Sequence, residues 1–290
     1  TLLTVSVFIS RELVNHYIAN YVESSQRQIV TGTEAEIDEV VMVSLRLSTD
    51  PSVYNLVKSR GDVSEKRRQL QTVIDGKLLK SDKSSIGNIC MVGLDGTVYE
   101  YRQNGAQLPP PGAQIAKTGA YVCGDVVRDQ RNNAYIPVGS RIKNFYTGES
   151  MGSMVIYLHE ESFNGIYQNI VPDWGYSFIL SSRRYILSHP DKRLPGTSEE
   201  SNVPVLSTGE YSITTGDYDG RKAVVAVRRL SNRMGYIGFD WEIVSVLPYS
   251  RLLAAIGQDK NIRILVLTGT GMLVVAMMFS VFISKKIVTP

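Results

Sequence analysis

The sequence predicts an α+β fold in which a long helix precedes two tandem antiparallel sheets and a membrane helix closes the chain. Three observations lead to this prediction: helical periodicity over residues 11–47, short alternating segments between residues 88 and 247, and a charge-free run at residues 264–283. The 290 residues are 43% hydrophobic and 20% charged, which is the composition of a folded protein with room for about two domains.

Apolar residues recur at three- and four-residue steps in the first part of the chain, amid glutamate, glutamine, serine and arginine. They are Val14, Tyr17, Ile18, Tyr21, Ile29, Ile37, Val41 and Leu45. This pattern predicts a long amphipathic helix over residues 11–50, which Asp50 and Pro51 bring to an end. A second helix is predicted over residues 64–81.

Short β segments bounded by turn residues follow these helices. The predicted strands are residues 88–93, 97–102, 121–127, 135–143 and 152–159. Asp95 and Gly96 are typical of a hairpin turn between the first two. With the helical residues before them, these strands predict one compact unit over residues 51–165.

The same pattern then repeats, with a second Asp-Gly turn at Asp219 and Gly220. The second set of predicted strands is residues 175–180, 185–189, 210–215, 222–229 and 241–247. Helical periodicity returns at Tyr249. This repetition predicts a second unit over residues 166–261, similar to the first.

The run at residues 264–283 indicates a membrane span, assigned to residues 262–283. Twenty helical residues cover about 30 Å, the thickness of the hydrocarbon core of a bilayer. The alternative is a buried core helix, but core helices rarely run this long without a charge. Lys285 and Lys286 follow the run, so the positive-inside tendency places that end in the cytoplasm and residues 11–261 outside.

Residues 1–10 are also apolar and stop at Arg11. Ten residues are too few to span a bilayer, so the segment is interpreted as the outer end of a first membrane helix. The core of a signal peptide is the alternative.

Several functions are disfavoured by the sequence. The 31 basic and 28 acidic residues are interspersed, which argues against nucleic-acid binding. His16, His159 and His189 lack metal-ligand spacing, so no metal or other cofactor is expected. Residues 148–152 match the Gly-x-Ser-x-Gly pattern of hydrolases, but the serine precedes a strand rather than a helix, so this region is not expected to be an enzyme.

Cys90 and Cys123 are the only cysteines. An exterior location permits a disulfide between them. Cys90 lies in an apolar run and is interpreted first as a small core residue, with the disulfide as the alternative.

The chain resembles the double Cache family of extracellular sensors over almost its whole length. The matching features are the strand, Asp-Gly turn and strand at residues 89–101, and residues 176–190 with their Ser-His-Pro ending. Residues 284–290 are similar to the start of a HAMP signalling helix. The resemblance implies two PAS-like sheets, one distal and one proximal to the membrane.

Within that family, residues 135–143 and 154–158 look most like YesM-type sensor histidine kinases. The resemblance therefore implies the sensing region of a two-component receptor in a bacterial plasma membrane. Chemotaxis receptors and diguanylate cyclases share the same outer module and are the alternatives. The Arg-x-Trp-Tyr element of many amino-acid sensors in the family does not occur in this sequence.

Polar and aromatic residues suited to lining a ligand cleft are found on the strands and loops of the first unit. The candidates are Tyr99, Tyr101, Tyr121, Asp125, Arg128, Tyr135 and Arg141. Arginine binds carboxylates, aspartate binds amines, and tyrosine supplies an aromatic wall with a hydroxyl group. The alternative for each is a solvated strand face or an ordinary core tyrosine. Asp173, Tyr176 and Tyr185 are the counterparts in the second unit.

The expected partners are a small extracellular ligand, the membrane and a second copy of the chain in a homodimer. Ala276 and Ser280 form a small-xxx-small pair suited to contact between membrane helices. Ligand binding is expected to bias the second unit and the helix that enters the membrane. A membrane-anchored solute-binding module is a further alternative, and it would not require the HAMP-like residues 284–290.

Overall fold

The structure is a computed structural model. It describes residues 2–59, 62–78, 85–102, 108, 121–144, 146–199, 203–206, 209–231, 237–258, 271, 274–281 and 283. Two antiparallel sheets lie along one long N-terminal helix.

The helices before the first sheet begin at well-formed caps. Helix α1 is Leu2–Ser48, α2 is Pro51–Lys58 and α3 is Val63–Lys77. The Asp50 carboxylate accepts a hydrogen bond from the Ser52 backbone N at 2.8 Å, and Pro51 occupies the first position of α2. Aspartate is a favoured N-cap and proline is tolerated in the first turn, so α1 ends and α2 begins here.

The first sheet has six strands in the order β2-β1-β6-β5-β3, with β4 also paired to β5. Its strands are β1 Ile86–Gly93, β2 Val98–Arg102, β3 Val122–Cys123, β4 Val127–Arg128, β5 Ala134–Lys143 and β6 Ser150–His159. This sheet forms the predicted distal unit and is called the distal sheet. Helix α4, Glu160–Gln168, follows it.

The second sheet, called the proximal sheet, has five strands in the order β8-β7-β11-β10-β9. They are β7 Tyr176–Leu180, β8 Ile186–Ser188, β9 Tyr211–Tyr218, β10 Arg221–Arg229 and β11 Glu242–Pro248. At the β9–β10 turn Asp219 and Gly220 have φ angles of 50° and 71°. Both central residues of a type I′ hairpin turn need positive φ, which explains the Asp-Gly pair. Helix α5, Tyr249–Gln258, follows β11 directly.

Helix α1 packs against both sheets and shares one hydrophobic core with them. Its buried residues include Ile18, Val22, Ile29 and Ile37. Polar side chains join the helix to each sheet. Fully buried Gln26 donates from Nε2 to the Ala226 carbonyl at 3.1 Å and to Ser245 Oγ at 2.8 Å in the proximal sheet.

At its far end α1 contacts the distal sheet, where Ser44 Oγ lies 2.7 Å from Ser140 Oγ. The two units therefore pack on the same helix.

The predicted long helix and both predicted groups of strands are confirmed. Predicted strand 121–127 is instead the two short strands β3 and β4, because residues 124–126 lie outside the ladder. Helices α2 and α4 were not predicted. The predicted boundary between residues 165 and 166 falls inside α4.

The predicted membrane span lies mostly outside the described residues. Of residues 264–283, the structure describes 271, 274–281 and 283, which are helical, with exposed apolar side chains such as Val275, Met278 and Phe279. Among the helices that the structure describes, none is long and apolar enough to cross a membrane. The HAMP-like residues 284–290 lie outside the described part.

Replacing Gln26 tests the link between α1 and the proximal sheet. In Gln26→Ala we expect the free energy of unfolding to fall by about 1–3 kcal/mol, because two buried hydrogen bonds are lost and Ser245 and Ala226 lose a donor. Urea denaturation followed by circular dichroism measures this change. Gln28→Ala is the control, since Gln28 is exposed on the same helix. Equal midpoints for the two variants would contradict the role of Gln26.

Candidate functional site

The distal sheet has two faces of different character, and its first face is occupied by helices. Tyr99 and Tyr101 lie on this face, 1% exposed each. Tyr99 Oη accepts a hydrogen bond from Lys66 Nζ at 3.1 Å, and Tyr101 Oη donates to Asp75 Oδ1 at 3.0 Å. Burial, with Asp75 beside it, raises the pKa of Tyr101 to about 12. Both tyrosines hold α3 against the sheet and lie apart from the other predicted ligand residues.

The second face of the distal sheet carries a separate cluster of side chains. Cys90, Tyr135, Val155 and Tyr157 pack together there with Leu108. Leu108 belongs to the connection between β2 and β3, so this connection crosses the second face at that point. Small-molecule sites are lined mainly by apolar and aromatic side chains with a few polar groups, and this face has that composition.

Charged residues of both signs belong to the second face, among them Glu100, Arg102 and Arg141. The strand register pairs Glu100 with Cys90, and it pairs Arg141 with Ser153. Side chains alternate between faces along a strand, so Arg141 lies on the same face as Tyr135. β2 and β5 are three strand spacings apart, or about 14 Å between backbones, so Glu100 and Arg141 stand on opposite sides of the centre of this face.

Neighbouring groups shape the electrostatics of this face. Glu100 forms an ion pair with Arg102, and its side chain is only 17% exposed. Burial raises the pKa of the Cys90 thiol to about 12, with a further contribution from the Glu100 carboxylate. Burial also raises the pKa of Tyr157. These groups therefore stay protonated at neutral pH, and Tyr157 can offer a hydroxyl donor.

Tyr135 stands at one edge of the second face. Its hydroxyl donates to Asp129 Oδ2 at 3.2 Å, and its ring centroid lies 4.7 Å from that of His159. Burial and then the Asp129 charge raise the pKa of Tyr135 to about 12. Burial lowers the pKa of His159, which favours a neutral imidazole.

The two cysteines are free and both are buried. Cys90 faces the second-face cluster, whereas Cys123 packs in the core on the helix side of the sheet. Their placement on opposite faces explains why the disulfide alternative does not hold. Among the residues that the structure describes, no three histidine, cysteine or acidic side chains are grouped as a metal site.

Three further residues that were predicted to bind ligand lie where the two units meet. They are Tyr121, Asp125 and Arg128. The Tyr121 carbonyl accepts a hydrogen bond from the Ile237 backbone N, and the Cys123 backbone N donates to the Ile237 carbonyl, each at 2.9 Å. Asp125 is exposed and forms an ion pair at 3.5 Å with Arg183 of the proximal unit.

Arg128 makes the most extensive contact across this junction. Its Nη2 donates to the carbonyls of Lys192, Arg193 and Pro195 at 3.0, 3.3 and 2.8 Å. The guanidinium group of Arg128 is therefore held by hydrogen bonds to the loop that follows β8 in the proximal unit. Of the seven predicted residues, Tyr135 and Arg141 share the second face, while Tyr121, Asp125 and Arg128 lie at the junction.

A buried carboxylate joins α4 to the same proximal loop. Glu160 is 2% exposed and accepts from Ser188 Oγ at 2.7 Å, the His189 backbone N at 3.0 Å and Lys192 Nζ at 2.8 Å. Tyr167 on α4 also contacts the Ser188 hydroxyl. Three donors satisfy the buried charge, so this cluster fixes α4 on the loop.

The second face of the proximal sheet is apolar by contrast. Phe178, Val225 and Val244 pack there against Val203 and Leu206. Tyr176 is half-buried next to Phe178 and His189, while Asp173 and Tyr185 are exposed. The exception on this face is Glu242, a buried carboxylate that forms ion pairs with Arg229 at 3.1 Å and Arg184 at 4.0 Å.

Sequence reasoning missed Glu100 and Tyr157. Alternation along predicted strand 97–102 separates Glu100 from Tyr99 and Tyr101, but it does not reveal which set faces the helices. The register across the Asp95–Gly96 turn, which places Glu100 opposite Cys90, was the signal that could have identified Glu100.

The pKa of Cys90 predicts how its labelling depends on pH. With a pKa of about 12, the iodoacetamide reaction rate of Cys90 should rise about tenfold per pH unit from pH 7 to 10, because only the thiolate reacts. Mass spectrometry of the folded chain measures the modified fraction over time. A free cysteine peptide in the same tube is the control, and its rate levels off above its own pKa. Levelling of the Cys90 rate near pH 8.5 would mean that a solvated thiol reacts and would contradict the prediction.

Comparisons with known proteins bear on the fold. A scan against models of protein families finds no match, and a search of curated proteins finds none either. Solved structures do match. The ligand-binding domain of the Pseudomonas fluorescens chemoreceptor CtaA, in complex with L-isoleucine, has a TM-score of 0.62 at 14% identity, covering 86% of this chain and 99% of that one.

Two further matches are ligand-binding domains of Pseudomonas aeruginosa PAO1 amino acid chemoreceptors. PctB in complex with L-Arg has a TM-score of 0.61 at 15% identity, covering 87% of this chain and 98% of that one. PctC in complex with GABA has a TM-score of 0.59 at 16% identity, covering 79% and 98%. This chain therefore has the two-sheet, Cache-type fold of chemoreceptor ligand-binding domains.

Proposed function

We propose that the chain is the extracytoplasmic sensor region of a membrane receptor, and that a small molecule binds the second face of the distal sheet. The observation that carries the proposal is the presence of Glu100 and Arg141 on the same buried face, which also carries Tyr135 and Tyr157. Opposite charges on one partly apolar face favour a ligand that carries both charges.

The fold neighbours support this ligand class. L-isoleucine, L-Arg and GABA, which are bound to those neighbours, each carry an amine and a carboxylate. On this chain Arg141 would bind the carboxylate and Glu100 the amine. Tyr135 and Tyr157 would supply the walls. Glu100 thus takes the role that the sequence suggested for Asp125, which is paired with Arg183 at the junction.

We further propose that residues 262–283 span the plasma membrane, that residues 284–290 begin a HAMP helix, and that the receptor works as a homodimer. The charge-free run, Lys285 and Lys286 support the span. The resemblance of residues 135–143 and 154–158 to YesM-type sensors favours a histidine kinase as the output. The chemoreceptor neighbours favour a chemotaxis receptor as the second candidate. The sequence that follows Pro290 in the gene distinguishes the two.

Signal transfer would begin at residues 121–128. This segment directly follows the β2–β3 connection that crosses the second face at Leu108, and it contacts the proximal unit through Arg128 and the Ile237 backbone. A ligand that binds one arrangement of this segment more tightly shifts the receptor towards that arrangement.

A thermal-shift screen tests the binding proposal. The full chain in detergent is heated with amino acids, organic acids, sugars, amines and purines, and a compound with both an amine and a carboxylate should raise the melting temperature. Tyr157→Phe should raise the Kd of that compound about three- to tenfold, and Arg141→Gln by more than about tenfold. Tyr99→Phe is the matched control because it removes a hydroxyl from the opposite face. The site would be refuted if no compound raised the melting temperature. It would also be refuted if Tyr99→Phe raised the Kd as much as the second-face variants do.

Arg128→Ala tests the coupling. We expect the Kd of the ligand to change less than about twofold, since Arg128 contacts the proximal loop, whereas hydrogen exchange in residues 191–196 should no longer respond to ligand. Exchange measured by mass spectrometry with and without ligand gives the readout. Arg131→Ala, at an exposed position three residues away, should keep the normal response. A preserved response in Arg128→Ala would exclude Arg128 from the coupling.

A further inference from the structure

A cavity lies beside the start of α5, in the proximal unit. It has a volume of about 560 Å³. Its lining residues are Trp174, Arg221, Lys222, Pro248, Tyr249, Ser250 and Arg251. They come from three places in the fold: the turn before β7, the start of β10, and the β11–α5 corner. The cavity is separate from the second face of the distal sheet.

The lining is strongly basic. Arg221, Lys222 and Arg251 contribute three positive charges, and no carboxylate lines the cavity. In the part of the chain that the structure describes, none of the three forms an ion pair. Lys222 Nζ lies 4.7 Å from the centroid of the Tyr249 ring in a cation–π contact, and Asp217 stands opposite Lys222 in the β9–β10 ladder. The first turn of α5 holds no acidic residue and adds the positive end of the helix dipole.

The three basic residues are exposed, and all three line the same cavity. Like charges around one cavity repel one another, and a bound anion reduces this repulsion. Arginine side chains bind phosphate through paired, charge-assisted hydrogen bonds, and lysine adds a point charge. The rings of Trp174 and Tyr249 form part of the cavity wall beside these charges.

We propose that this cavity binds a small phosphate-bearing molecule as a second ligand of the receptor. This site goes beyond the proposed sensing of a zwitterion by the distal sheet. Since Tyr249 and Arg251 belong to α5 itself, the anion would contact the helix that leads towards the predicted membrane span.

Isothermal titration of the full chain in detergent with sodium pyrophosphate, at constant ionic strength, tests the proposal. We expect saturable binding of one pyrophosphate per chain. Arg221→Gln and Arg251→Gln should each raise its Kd at least about tenfold, because each removes a charge-assisted contact. Arg67→Gln is the matched control, since it removes one positive charge from an exposed position on α3 and should leave the Kd unchanged.

The proposal would be overturned if pyrophosphate showed no saturable binding. It would also be overturned if Arg67→Gln raised the Kd of pyrophosphate as much as the two cavity variants do. Two separate arginine variants guard against the failure of one of them to fold, which the urea midpoint of each reveals. Arg141→Gln should bind pyrophosphate normally, so loss of the distal site and loss of this site give different results.

Discussion

The packing of α1 against both sheets constrains the rest of the molecule. The helix has 47 residues and is about 70 Å long. Its buried residues occupy the first face of the distal sheet and the corresponding face of the proximal sheet. Gln26 binds the proximal strands and Ser44 contacts the distal ones. Because the helix already covers these faces, they are closed to a ligand.

The two second faces have different physical roles. The proximal one buries Phe178, Val225 and Val244, so it contributes to stability through apolar burial. The distal one carries Arg141 and Glu100, which forms an ion pair with Arg102, and a buried ion pair often adds no more stability than well-packed apolar side chains of similar volume. An apolar pair at these positions would serve stability better. The charged residues are therefore better explained by binding than by folding.

The sequence predicted the long helix and the order of strands along the chain, because periodicity and Asp-Gly turns are local signals. Its candidate ligand residues included Tyr135 and Arg141, which share the second face. It did not distinguish them from Tyr99 and Tyr101. Both faces of the distal sheet are covered, and the alternation of side chains along a strand does not show which face packs against the helices. It did not predict the junction role of Arg128 either, since the carbonyls that this side chain binds lie 64 to 67 positions away in sequence. Such contacts depend on how the two units pack on α1.

A continuous series of paired strands connects the junction to α5. Arg128 and the Glu160 cluster both hold the loop that follows β8. β8 pairs with β7, β7 pairs with β11, and β11 ends at Pro248, where α5 begins. A displacement of the loop therefore reaches the start of α5 through hydrogen-bonded strands, which resist stretching more than a flexible connection would. The basic cavity lies at the same corner, so an anion bound there would act on α5 directly and would need no change at the junction.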